Sequence, residues 1–175
     1  SITDGTRTLS HSFDLNDNLL AKRLPNGQFV VNEYDDSGRL SGTTAWKNEL
    51  QVSGEVVYDF SYGYDETGNR RYVREEMGAG LFERVIGYDE VDRLKTEAIE
   101  GTGVDRSAEY WYDAAGNRTR SLVTESDGPT TDTEFVYSPV KYNQLTEMRG
   151  PPGGDSVSFT YDANGNRETR GGSSV

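Results

Sequence analysis

The sequence predicts an all-β chain, a repetitive antiparallel β-hairpin ribbon of about seven repeats forming one curled sheet across residues 1–175 as a single domain. Three observations predict it. Aromatic residues recur about every 24 positions, each is followed by a turn-forming stretch, and the segments between turns alternate apolar and polar residues at steps of two.

The recurrence sets the units. Phe13, Tyr34, Tyr64, Tyr88, Tyr112, Tyr137 and Tyr161 are spaced by 21, 30, 24, 24, 25 and 24 residues. With the aromatic as position one, position seven holds Leu19, Leu40, Arg70, Leu94, Arg118 and Arg167, and the Tyr137 unit reaches Leu145 two residues late. Leu and Arg thus alternate from Tyr34 onward, and the full period is a double unit of 48 or 49 residues: Tyr64 to Tyr112, Tyr88 to Tyr137.

Each unit has two turns. One follows the aromatic; the other is marked by Gly and Pro clusters at Met77–Gly80, Glu100–Gly103, Ser126–Pro129 and Gly150–Asp155. The segments between them are about eight residues long, as strands are. Val56, Tyr58, Phe60, Tyr62 and Tyr64 fall at strict steps of two, as do Tyr110 and Tyr112, Phe135 and Tyr137, and Val157, Phe159 and Tyr161. Only a strand gathers such residues on one face. Leu81, Phe82, Val85 and Ile86 have helical spacing within Leu81–Ile99, but Gly87 and the repeat register favour strands there too.

The turn after the aromatic has a local physical cause. In Asp162-Ala163-Asn164-Gly165 the Asp accepts backbone N–H groups further along and the Gly takes φ > 0 without a Cβ clash, the pattern of a type I turn closed by a G1 bulge. Tyr161 then ends one strand and Arg167 begins the next. Side-by-side hairpins place Tyr and Arg in ladders, with guanidinium groups over rings.

The motif residues are Tyr34, Asp35 and Gly38; Tyr64, Asp65, Gly68, Asn69 and Arg70; Tyr88 and Asp89; Tyr112, Asp113, Gly116, Asn117 and Arg118; Tyr137; and Tyr161, Asp162, Gly165, Asn166 and Arg167. Three units read Tyr-Asp-x-x-Gly-Asn-Arg, and two read Tyr-Asp-x-x-x-Arg-Leu, from Tyr34 and Tyr88. On these residues, from about Phe13 to Arg170, the chain resembles the Rhs or YD-repeat family, found in bacterial Rhs toxins, insecticidal toxin complexes and the teneurins. The resemblance implies a long antiparallel ribbon that coils into a shell, enclosing an effector in toxins and serving adhesion in teneurins. The toxins' core segment after the repeats has no counterpart in this sequence, so the autoproteolysis of some relatives does not carry over.

Composition narrows the rest. The 175 residues suffice for one domain with a conventional core. Eleven Tyr, 20 Gly and no Cys favour strands without disulfides. A formal charge of −12 opposes nucleic acid and anionic lipid, and no apolar run reaches 18 residues, so neither nucleic acid nor membrane insertion is expected. The chain starts at Ser1 and ends in GGSSV, as a piece of a longer protein does.

No catalytic constellation stands out. His11 is the single histidine and reads as a surface residue, and without Cys there is no thiolate nucleophile or zinc cluster. Asp14, Asn16 and Asn18, like Asp162, Asn164 and Asn166, spell the start of a calcium loop, but the twelfth position is Pro25 or Ser173 instead of Glu. They read as hairpin turns, so no metal or cofactor is expected. Gly78 and Gly101 begin turns rather than phosphate loops.

A Tyr- and Trp-rich face with Trp46 and Trp111 is a possible stacking surface for sugars. The expected function is therefore a non-enzymatic structural module of a secreted or surface-exposed bacterial protein, building a shell wall or a self-assembling fibre. Its partners are flanking repeats or copies of itself through strand edges, and an adhesive module for glycans or a partner ectodomain is the alternative. Seven hairpins, about 14 strands, span on the order of 65 Å, too little to enclose a cargo protein.

Overall fold

The computed structural model describes residues 2–4, 7–48, 55–141, 143–151 and 154–173. Ser1, Pro152 and Gly153 of the Gly150–Asp155 turn, and the last two residues of GGSSV lie outside the described residues. The chain is all-β: β1 (Ile2–Asp4), β2 (Arg7–Phe13), β3 (Leu19–Arg23), β4 (Phe29–Tyr34), β5 (Leu40–Trp46), β6 (Val56–Tyr64), β7 (Arg70–Met77), β8 (Gly80–Tyr88), β9 (Leu94–Gly101), β10 (Arg106–Tyr112), β11 (Arg118–Glu125), β12 (Thr131–Tyr137), β13 (Leu145–Arg149), β14 (Ser156–Tyr161) and β15 (Arg167–Ser173). Hydrogen-bonded neighbours are consecutive in sequence. Fourteen strands belong to the seven motif hairpins; the fifteenth, β1, precedes them and pairs with β2. The helical spacing within Leu81–Ile99 loses to the repeat register, and those residues form β8 and β9.

By internal contacts the chain divides into two compact units, residues 1–85 with 99–103, and residues 86–98 with 104–175. In the first, Val30 faces Ala45, which faces Tyr58, and Tyr62 faces Val73. Val30, Ala45 and Val73 are buried, so this row is the apolar side of the sheet. The reverse side carries charge: Arg74 bonds Glu76 at 2.6 Å and lies 3.8 Å from Asp59, and Thr44 donates to Asp59 at 2.8 Å.

The second unit repeats the scheme. Ala108 faces Val123, Tyr110 faces Ser121, and Phe135, Met148 and Val157 form one cross-strand row. On its reverse side Arg120 pairs with Asp132 at 2.6 Å, and Arg149 with Glu147 and Glu134 at 2.8 and 3.3 Å.

The conventional core that the chain length allows is not built. Among the described residues only Val30, Ala45, Val73, Ala108 and Phe159 are buried apolar side chains, and no large side chain is fully buried. Within each unit strands touch only their sequence neighbours, so side chains are covered by cross-strand rows alone.

Parity also corrects the sugar-stacking face. Trp111 lies between Tyr110 and Tyr112 on β10, so it must point away from them, and its direct partner Arg120 covers its ring at 4.7 Å. Trp46 follows Ala45 on β5 and pairs in unbroken register with Phe29, next to Val30, so it too lies on the side opposite the Val30, Ala45 and Tyr58 row. The two Trp and the tyrosine rows occupy opposite faces of their units.

Candidate functional site

The repeated corner is built from the turn outward. The N–H of the second-position Asp donates to the carbonyl of position six, and the N–H of position five returns to the Asp carbonyl: Asp35 N to Arg39 O at 2.8 Å with Gly38 N to Asp35 O at 2.8 Å, and likewise at Asp14, Asp65, Asp89, Asp113 and Asp162. Position five needs positive φ, which Gly38, Gly68, Gly116 and Gly165 supply at 76° to 97°. Asp17 and Asp92 hold the same position at 63° and 61°, so they do a glycine's task with a Cβ in place.

The Asp carboxylate locks the turn. Asp35 Oδ1 accepts the N–H groups of Ser37 and Arg39 at 3.0 and 2.9 Å, and Asp162 Oδ1 those of Asn164 and Asn166 at 2.9 and 2.8 Å. These bonds favour the ionised form, so six carboxyls sit below the ordinary Asp range. The leading cause is the Asn18, Asn117 or Asn166 side chain at Asp14, Asp113 and Asp162, the Thr67 hydroxyl at Asp65, and the backbone N–H of Arg39 or Arg93 at Asp35 and Asp89. In the Tyr137 unit Ser138 takes the Asp place, its Oγ accepting from Val140 and Lys141 at 3.3 and 3.1 Å.

The aromatic joins one corner to the preceding one. Five hydroxyls donate to the carbonyl that opens the second strand of the previous hairpin: Tyr34 to Leu19 at 3.1 Å, Tyr64 to Leu40 at 2.8 Å, Tyr112 to Leu94 at 2.7 Å, Tyr137 to Arg118 at 3.0 Å and Tyr161 to Leu145 at 2.8 Å. The acceptor is backbone and has no letter in the sequence, so period and composition could not reveal this tie.

Arginine occurs in two modes. At position seven it lies over the ring two residues before the motif Tyr of its own hairpin: Arg70 over Tyr62 at 4.4 Å, Arg118 over Tyr110 at 4.6 Å, Arg167 over Phe159 at 5.7 Å, with Arg118 also 5.9 Å from the Phe135 ring of the next hairpin. At position six it points to the following unit. Arg39 lies 4.7 Å over Tyr64 and Arg93 4.7 Å over Tyr112. The expected ladder of rings and guanidiniums is therefore two interleaved sets.

No cluster of three or more His, Cys, Asp or Glu among the described residues is placed to hold a metal ion. His11 is exposed, with its ring centroid 6.2 Å from that of Phe13. The arrangement is suited to positioning backbone, with the carboxylate of the turn Asp accepting the position-six N–H in six corners.

With this geometry the chain belongs to the class of β-repeat ribbons. No protein-family model and no curated protein matches it. Solved structures do. The chain is similar to part of the Photorhabdus luminescens Tc holotoxin pore carrying the TccC3 D651A mutation, with a TM-score of 0.59, 14% identity and 92% of this chain covered, and to the TcdB2–TccC3–Cdc42 crystal structure, with a TM-score of 0.51, 10% identity and 94% covered. It spans 11% and 10% of those chains. At such identity the likeness shows the fold, and that fold is the one implied by the YD-repeat resemblance.

Proposed function

We propose that this chain is a non-enzymatic structural module, a run of YD repeats forming wall in a β-shell of a larger secreted or surface-exposed bacterial protein. The observation that carries it is one bond made five times, from the hydroxyls of Tyr34, Tyr64, Tyr112, Tyr137 and Tyr161 to the carbonyl that opens the second strand of the previous hairpin. A corner that fixes itself only to its neighbour is extended simply by adding corners. The likeness to Tc toxin chains of which this chain spans 11% and 10% supports a segment of such a wall, with flanking repeats as its partners. Electron microscopy of the parent protein tests this. A hollow β-wall that runs continuously through these residues is expected, and a separate lobe hanging off the flanking chain overturns it. For the 175-residue chain alone, monodisperse particles at every concentration remove the fibre form.

The adhesive reading rests on a groove of about 570 Å³ beside Trp111, lined by Arg120, Asp132, Glu134 and Arg149. Arg120 already covers the indole, which weighs against a sugar there. A glycan array without signal dismisses this reading; a signal lost in Trp46→Ala or Trp111→Ala favours it.

A further inference from the structure

Position six differs between the two kinds of repeat, and the difference has a direction. In the Tyr34 and Tyr88 units it is Arg, whose Nε bonds the Asp of its own turn at 2.7 Å, Arg39 to Asp35 and Arg93 to Asp89. The other arm of the same guanidinium leaves the turn. Arg39 Nη1 donates to the carbonyl of Asp65 at 3.0 Å, and Arg93 Nη1 to that of Asp113 at 3.1 Å. Each group also stacks on the Tyr of the turn it reaches. The receiving carbonyls are those that close the next corner, by accepting Gly68 N at 3.2 Å and Gly116 N at 3.1 Å.

In the receiving repeats position six is Asn. Asn117 Nδ2 donates to its own Asp113 at 2.9 Å, and Asn166 Nδ2 to Asp162 at 2.9 Å, so Asn performs the own-turn half of the arginine's task. In the Tyr137 unit Gln144 fills this place, its Nε2 lying 3.5 Å from where a Cβ on Gly165 of the following turn would be. Arg39 Nη1 stands in the same relation to Gly68, at 3.9 Å.

We infer that, from Tyr34 onward, the position-six residue of each Leu-type repeat is a coupler that makes it and the following Gly-Asn-Arg repeat one cooperative pair of hairpins, 34 with 64, 88 with 112 and 137 with 161. The planar fork suits this, since one guanidinium serves two turns and a ring together. The pairing accounts for the 48-residue period: at position six one repeat type reaches into the next turn with Arg and the other receives. It deepens the structural-module reading and rests on that reading for its purpose, but it is tested on the isolated chain, so it stands or falls separately from any image of the parent.

Hydrogen exchange on the full chain, resolved by residue, decides it. Arg93→Asn keeps the own-turn bond, as Asn117 shows, and removes the reach. The amides of Asp113, Gly116 and Asn117 should then exchange about tenfold faster, while those of Asp89, Val91 and the substituted position 93 stay within about twofold of their original rates. Arg39→Asn should do the same to Gly68 and Asn69 while sparing Asp35 and Ser37. Equal loss in both turns, or an unchanged receiving turn, overturns the inference. Should either Asn variant fail to fold, Arg93→Lys, which keeps the charge but not the fork, decides by the same amides: release of the Asp113 turn alone supports the coupler, and any other pattern overturns it.

Discussion

The hydroxyl of Tyr161 donates to the carbonyl of Leu145 at 2.8 Å, joining the corner between β14 and β15 to the strand that leaves the previous corner. Sixteen residues separate the two in sequence, yet the same relation holds at four other tyrosines. The corner is therefore fixed from outside by its neighbour as well as from inside by its Asp.

Removing one such hydroxyl should weaken the chain measurably without disturbing the ring. Tyr112→Phe keeps the face on which Arg93 stacks and deletes the 2.7 Å bond to Leu94. A loss of about 1 kcal/mol is expected, as for a typical intramolecular hydrogen bond. Urea unfolding of Tyr64→Phe and Tyr112→Phe measures it, and the double variant should lose close to the sum, because the sites share no partners.

Position five should respond to backbone conformation alone. Gly116 has φ of 89° and nothing within 4 Å of a built Cβ, so Gly116→Ala meets no clash and pays only for the left-handed backbone, about 1 kcal/mol. Asp17→Gly is the converse, relieving φ of 63° at the expense of a looser unfolded chain, and should stabilise by a few tenths of a kcal/mol. Thermal melts of the two variants should move in opposite directions.

Acid should loosen the corners together. Six turn Asp residues have carboxyls lowered by hydrogen bonds that exist only when folded. A depressed folded-state pKa contributes stability that is fully present above the unfolded value, about 3.9, and is lost as pH falls through the lower folded values. Stability should hold from pH 7 to about 5 and decline below about 4. Asp113→Asn should be less stable than the parent at pH 7, with the difference narrowing at about pH 3.

Calcium should give no heat in a calorimetric titration. Asp162 Oδ1 accepts two backbone N–H groups and Oδ2 the Asn166 amide at 2.9 Å, so the donor set of the apparent calcium loop is already turned inward. Asp14 is used the same way by Asn16 and Asn18. Saturable calcium heat, lost in Asp162→Asn, would contradict this account.

Much of the fold is local and so was legible. Steps of two from Val56 to Tyr64 fix a strand face, and Asp-x-x-Gly fixes a turn, whatever surrounds them. The corner's substitutes were harder to see, because Ser138 imitates a carboxylate with a hydroxyl, and Asp17 and Asp92 adopt a backbone that favours glycine. The contacts between corners were hidden for another reason. Their acceptors, Leu40 and Leu94 for tyrosine and Asp65 and Asp113 for arginine, are carbonyl groups that every residue carries. The side chosen by Trp46 and Trp111 was in principle readable from parity with Ala45 and Tyr110.

The ties between corners gather at one end of the strands, and the loops at the other end differ. The N–H of Leu24 donates to the carbonyl of Gln28 at 2.8 Å and that of Gly27 to Leu24 at 2.9 Å, closing a short loop between β3 and β4. This leaves a margin along which foreign peptides can be grafted. An epitope or protease site spliced between Leu24 and Gln28 would ride on the ribbon while the opposite margin keeps its register.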